Sequence, residues 1–241
     1  MINKRGSHVG MVLSFVIFVT FLVFLYSALE PTINKNQDKQ FLLEHLKISL
    51  LNEFEANLTT VTVSADKGAF DDRITNCLSL NKEEDEFANL KLPENFLVKD
   101  VSGTTVLSGL DAKNILIEWI SADNNIFNIY FSGEKFRDSA SPSCGKATSA
   151  TIKLVKEEKF IFESKISSVR DNGYDNLKSK FNIPVGNNFW FGVMDGERIN
   201  TLYELGKIDN SGLSVYSEEI PILYVDKEAN INSGFLTIKV W

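Results

Sequence analysis

The sequence contains little histidine and little cysteine, and these two shortages exclude several kinds of catalytic and metal site. His8 and His45 are the only histidines among 241 residues, so none follows residue 45. The long C-terminal part therefore cannot contain a Ser-His-Asp or Cys-His catalytic arrangement. Two cysteines cannot form a zinc site that needs four thiolates, and no histidine is present there to complete a mixed site. We therefore predict no catalytic residue, no metal site and no cofactor site.

The sequence also has fewer basic than acidic residues. The chain carries 25 Lys and Arg against 32 Asp and Glu, a formal net charge of -7 at pH 7. Surfaces that bind nucleic acid need clustered Lys and Arg, so we expect no nucleic-acid partner. The many carboxylates leave an anchored two-carboxylate hydrolase as a minor hypothesis. No spacing in the sequence singles out a pair of them, and we therefore predict that the protein is not an enzyme.

Charge is absent altogether from Val9 to Leu29. A helix of this length covers roughly 30 Å, the hydrocarbon thickness of a bilayer, and the segment therefore predicts a transmembrane helix. Lys4 and Arg5 precede it and Glu30 follows it, which places the N-terminus in the cytoplasm and the rest of the chain outside. A cleaved secretory signal is the competing interpretation.

An amphipathic pattern follows Pro31. Apolar residues recur at steps of three and four up to Leu58, at Leu43, Leu46, Leu50 and Phe54. We predict a stalk helix over residues 31–58 that lies with one face on a packed partner. Two alternatives remain for its start: one rod of roughly 70 Å that continues through Pro31, or two helices joined by residues 32–38.

The remainder of the chain has the sequence pattern of a β-rich domain. Alternating apolar residues predict an opening strand at 58–63 and three hairpins, at 114–131, 151–166 and 220–241. The first hairpin would turn at 121–125, the second at 156–159 and the third at 226–234. Tyr174, Leu177 and Phe181 predict one short helix that Pro184 ends. The fold class is therefore predicted as α+β, with an antiparallel, sandwich-like β domain.

Two modifications are predicted for this domain. Cys77 and Cys144 are the only cysteines, and in an oxidising exterior such a pair is expected to form a disulfide. The alternative is two free thiols. Asn57-Leu58-Thr59 matches the N-glycosylation pattern, which makes Asn57 a candidate acceptor.

The N-terminus resembles a known type of leader. Met1-Ile2-Asn3-Lys4-Arg5-Gly6, followed at once by an apolar helix, is similar to the class III (prepilin) signal of archaeal type IV pilin-like proteins. The resemblance implies that a prepilin peptidase cleaves after Gly6 and leaves Ser7 as the first residue. It also implies that the apolar helix stays on the mature protein and bundles with its copies. In architecture alone, the chain also resembles archaellum stator proteins, which keep their helix uncut.

These observations predict a leader (1–6), a transmembrane helix (7–30), a stalk helix (31–58) and an extracytoplasmic β-rich domain (59–241). The expected function is that of a membrane-anchored, pilin-like structural or interaction protein. The expected partners are the lipid bilayer, a prepilin peptidase, and copies of the chain or other pilins. The alternative is a monomeric anchored binding module, similar to a stator or a surface-layer contact.

Overall fold

The computed structural model describes residues 6–83, 90, 92–111, 113–206 and 215–241, and only the backbone at 6–8 and 28–37. Lys4 and Arg5 therefore lie outside the described residues. Helix α1 (Gly6–Phe54) is 49 residues long and continues through Pro31. Of the two alternatives for this region, the single rod of roughly 70 Å is the one observed.

The predicted end of the stalk helix at residue 58 is wrong. The helix ends at Phe54, and strand β1 (Glu55–Ser64) begins at the next residue. Leu58 fits the helical spacing, but it also begins a run of β-branched residues from Thr59 to Val63 that favours a strand. Pairing on both sides of β1 stabilises the extended form over these residues.

Twelve strands are seen in the described part of the chain, and they form two sheets. After β1 they are β2 (Asn76–Asn81), β3 (Phe96–Asp100), β4 (Ser108–Asp111), β5 (Asn114–Trp119), β6 (Ile126–Ser132), β7 (Lys146–Ser149), β8 (Thr151–Phe162), β9 (Phe189–Asp195), β10 (Thr201–Leu205), β11 (Tyr216–Val225) and β12 (Ile231–Val240). The larger sheet is a curled half-barrel in the order β10-β9-β12-β11-β8-β1-β6-β3. The smaller sheet has the order β4-β5-β2-β7. The α+β prediction is confirmed at this level.

Most strand pairs are antiparallel, and one of the two parallel pairs divides the larger sheet into two halves. Strands β8 and β11 run parallel and pair only at their ends, where Ile161 and Phe162 lie opposite Tyr224 and Val225. The other parallel pair, β2 with β7, lies in the smaller sheet.

The hairpin predicted at 220–241 is confirmed, because β11 and β12 pair along their whole length. Its turn is shorter than predicted and runs from residue 226 to 230. Leu236, Ile238 and Val240 are buried, as expected for one face of a strand.

The hairpin predicted at 114–131 is wrong. Strand β5 pairs with β2 and β4 in the smaller sheet, whereas β6 pairs with β1 and β3 in the larger one. Ile117 and Trp119 of β5 and Phe127 and Ile129 of β6 are buried in one cluster between the two sheets. The two strands therefore stack face to face across a core, as in a sandwich.

The hairpin predicted at 151–166 is also wrong. Residues 156–159, predicted as its turn, lie inside the single strand β8, and Ile166 belongs to helix α2 (Glu163–Asp171). This part of β8 is exposed, so its charged residues are compatible with an extended strand. The predicted short helix is confirmed as α3 (Tyr174–Lys180), in which Leu177 is buried.

The buried side chains form three clusters. The first lies between the three helices and strands β9, β11 and β12, and the second lies between the two sheets. A third, smaller cluster joins them and contains Leu58, Leu97, Phe136, Phe162, Val225 and Ala229.

Candidate functional site

The N-terminal half of α1 presents an apolar surface that the protein does not cover. From Val9 to Ser27 no residue is buried, and by length and composition this segment is the one candidate membrane span among the described residues. Phe15, Phe18, Phe21 and Phe24 recur at every third position, so successive rings are displaced by about 60° around the helix and the four rings are spread over about half of its circumference. An exposed apolar surface of this length is typical of a segment that lies in lipid or packs against other helices.

The C-terminal half of α1 is docked on the domain. Leu46, Leu50 and Phe54 are completely buried in the first cluster, and the ring of Phe54 lies 5.7 Å from that of Phe191 on β9. Burying side chains of this size stabilises the docked position by about 1.5–3 kcal/mol each. A continuous helix therefore connects the exposed apolar segment to the sheet.

Polar contacts along the same half of α1 fix its register. Lys47 Nζ donates to Glu44 and to Glu218 of β11, at 2.6 Å and 3.0 Å. These hydrogen bonds raise the pKa of Lys47. His45 is exposed, as the sequence indicated, but its Nε2 lies 2.9 Å from the carbonyl oxygen of Phe181.

The outer face of the docked half retains two exposed apolar side chains. Phe41 is 74% exposed and Ile48 is 52% exposed. They lie seven residues apart and therefore on the same side of the helix. This side faces away from the sheet, where a neighbouring helix or protein could contact it.

The residues of the predicted cleavage site lie at the beginning of α1. Gly6 is the first described residue of the helix and Ser7 is the second. Cleavage between them stays a prediction.

The structure brings the two cysteines together. Cys77 on β2 and Cys144, just before β7, form a disulfide with an S–S distance of 2.06 Å across 67 residues of sequence. The predicted disulfide is therefore present in the structure.

Asn57, the candidate glycosylation residue, is exposed on β1, while its neighbour Leu58 is buried. The Asn57 Nδ2 donates to Glu157 Oε1 at 2.7 Å. The amide is therefore reachable from solvent. Glycosylation of Asn57 stays a prediction.

The domain surface carries a cleft of about 490 Å³ next to the disulfide, lined by Phe70, Asp72, Arg73, Ile74, Thr75, Asn76, Glu118, Trp119 and Ile120. Ile74 and Ile120 are exposed on it, but Trp119 is buried and cannot stack on a ligand. In the described part of the chain, no three His, Cys, Asp or Glu side chains are arranged to hold a metal ion.

The contacts that dock α1 could be predicted only in part. The buried leucines follow from helical spacing, but Glu218 as the partner of Lys47 lies 171 residues away in sequence and carries no local signal. In comparisons with known proteins, no family model, no curated protein and no solved structure matches this chain. Its function must therefore be inferred from its own residues.

Proposed function

We propose that the chain is a membrane-anchored, pilin-like structural or interaction protein that presents its β-rich domain outside the cell. The observation that carries this proposal is the division of α1 into an exposed apolar half and a half docked on the sheet. The exposed half matches a bilayer in length, and the docked half holds the domain at its end.

The proposed orientation places the N-terminus in the cytoplasm. Lys4 and Arg5 before the apolar segment and Glu30 after it agree with this direction. The disulfide between Cys77 and Cys144 also favours an oxidising exterior for the domain. In this proposal a prepilin peptidase cleaves after Gly6, and Ser7 becomes the first residue.

Assembly would transfer the apolar helix from lipid into a bundle of helices from neighbouring copies. Lipid tails are as apolar as the Phe and Val side chains of this segment, so packing between helices would drive the transfer. Phe41 and Ile48 would extend this contact beyond the membrane, because they are exposed on the same helix.

Cysteine cross-linking in the native membrane tests assembly. The double variant Val16→Cys/Phe18→Cys places thiols about 200° apart around the helix, so each can reach a different neighbour. A bundle should give a ladder of oxidised multimers, whereas the matched single variant Val16→Cys should give dimers only. Monomers alone in the double variant would contradict assembly.

A second candidate is a monomeric anchored binding module, similar to a stator or a surface-layer contact. The cleft beside the disulfide, with Ile74 and Ile120 exposed on it, favours this function. N-terminal mass spectrometry separates the candidates. A start at Ser7 supports the pilin-like protein, and a start at Met1 supports the anchored module.

A further inference from the structure

A buried lysine is hydrogen-bonded to a side-chain amide beside the third cluster. Lys99 on β3 is only 4% exposed, and its Nζ lies 2.5 Å from Oδ1 of Asn230 in the β11–β12 turn. The two residues are 131 positions apart in sequence.

The burial of Lys99 favours the uncharged amine, which is the nucleophilic form. The residues next to the pair, Val98 and Ala229, are buried, whereas the Tyr130 ring, whose centre lies 5.9 Å from Nζ, favours the cation. Burial lowers the pKa of Lys99, although the charges of Asp226 and Glu228 act in the opposite direction.

The amide of Asn230 is held in one orientation. Its Nδ2 donates to Asp226 Oδ2 at 2.8 Å, and its backbone N–H donates to Asp226 Oδ1, also at 2.8 Å. The amide oxygen therefore faces Lys99 and the amide nitrogen faces a carboxylate. Asn230 is itself exposed, so ammonia released from it could escape to solvent.

We propose that Lys99 and Asn230 are the site of an intramolecular isopeptide bond. The lone pair of Lys99 Nζ attacks Asn230 Cγ, a C–N bond forms, and the negative charge develops on Oδ1. A proton passes from Nζ to Nδ2, which the Asp226 carboxylate orients by its hydrogen bond, the Cγ–Nδ2 bond breaks, the charge on Oδ1 returns to the carbonyl, and ammonia leaves. One amide replaces another, so no oxidant or cofactor is needed. Holding the reacting groups together supplies the acceleration that a free amine and amide lack.

The bond would join the two halves of the curled sheet. Strand β3 is the outer strand of one half, and the β11–β12 turn belongs to the other half. The same junction already contains a hydrogen bond from the Arg137 backbone N–H to the Lys227 carbonyl, at 2.8 Å. The disulfide lies at the smaller sheet and does not link these halves, so a covalent bond here would be a separate tie between them, which suits a domain that bears load at a cell surface.

The chain contains a matched control pair. Lys39 Nζ lies 2.5 Å from Asn187 Oδ1, the same distance. The amide nitrogen of Asn187, however, donates to the carbonyl oxygen of Pro184 and not to a carboxylate. Lys39 is also more exposed than Lys99. We expect Lys99 and Asn230 to be linked and Lys39 and Asn187 to stay separate.

Peptide mapping of the full-length protein tests the proposal. Trypsin does not cleave after an acylated lysine, so the expected product is a branched peptide that joins residues 92–113 to 228–239 and is lighter by one ammonia. Lys99→Arg keeps the cation but cannot form the bond, and it should give separate peptides. Asn230→Asp should give the same product mass by loss of water.

Separate, unmodified Lys99 and Asn230 peptides in the folded wild-type protein would overturn the proposal. Conversion of Asn230 to Asp beside a free Lys99 would overturn it as well. A linked Lys39–Asn187 pair would contradict the role of Asp226 and of burial. The wild-type map decides the matter even where a variant fails to fold.

Discussion

Tyr203 on β10 forms a close polar cluster on the side of the sheet that helix α2 covers. Its hydroxyl donates to Glu163 at 2.6 Å, and the guanidinium of Arg170 lies 5.3 Å from the centre of its ring. Burial raises the pKa of Tyr203 above its ordinary value of 10.0, and the hydrogen bond to Glu163 raises it further. The folded protein therefore favours the protonated phenol.

The raised pKa of Tyr203 predicts a loss of folding stability in alkaline solution. An unfolded tyrosine deprotonates near pH 10, so the contribution of Tyr203 is complete below that pH and falls as the pH rises towards the folded-state value. Thermal unfolding of wild type and Tyr203→Phe, followed from pH 8 to pH 11, should show the difference in Tm shrinking above pH 10. A constant difference would mean that the phenol titrates alike in both states.

The disulfide between Cys77 and Cys144 leads to a second prediction at this scale, on the free energy of unfolding. Because it closes a loop with a separation of 67 residues, it should stabilise the fold by about 4 kcal/mol in the chain-entropy model. The double variant Cys77→Ser/Cys144→Ser should lose this amount in denaturant titration. Wild type reduced before unfolding is the matched control and should show the same loss. An unchanged midpoint in the variant would contradict the prediction.

At the scale of elements, the sequence predicted those structures whose signals are local. The hairpin of β11 and β12 was predictable because its strands alternate and lie next to each other in sequence and in space. Strands β5 and β6 show the same local pattern, yet their apolar faces meet across a core between two sheets. Alternation identifies a strand and its buried face, but it carries no information on whether the next strand pairs beside it or stacks opposite.

The residues of the candidate sites also divide into those that the sequence could predict and those that it could not. The apolar segment and the two cysteines could be found from sequence, because charge-free length and cysteine number are visible along the chain. The pair formed by Lys99 and Asn230 could not, since only the curl of the sheet brings these distant residues together.

The docking of α1 predicts a difference between two faces of one helix. Leu46 is completely buried against the sheet, whereas Ile48 is half-exposed on the outer side. Leu46→Ala should lower the free energy of unfolding by about 2–5 kcal/mol, because it leaves a cavity. Ile48→Ala should change it by less than about 0.5 kcal/mol in the same denaturant titration. Equal losses would mean that the docked face is assigned wrongly.

At the scale of the whole molecule, the question is whether the two main cores unfold together. They share one sheet, but that sheet is continuous only where the ends of β8 and β11 pair. The third cluster lies at this junction, and Phe162 is buried in it at the end of β8. Phe136 packs against Phe162 with ring centres 6.3 Å apart. Coupling between the cores therefore depends on a small number of side chains.

Phe162→Ala should separate the two cores. Removing a buried Phe costs about 3–5 kcal/mol, and here that loss falls on the junction. Trp119 reports on the second cluster, while Trp190 and Trp241 report on the half that contains β9 and β12. Thermal unfolding is followed by the fluorescence of variants that each retain one of these tryptophans. The transitions should coincide when Phe162 is present and should separate in Phe162→Ala.

Two further features make this measurement decisive. The proteins are compared in a Lys99→Arg background, so that the proposed isopeptide bond cannot tie the cores together. Phe127→Ala is the matched control, because Phe127 is equally buried but lies wholly within the second cluster. Phe127→Ala should lower the stability of the protein, but the tryptophan transitions should stay coincident because the junction is intact. Coincident transitions in Phe162→Ala would show that the cores are coupled in another way, through the short β8–β11 pairing and through helix α1, which packs on both strands.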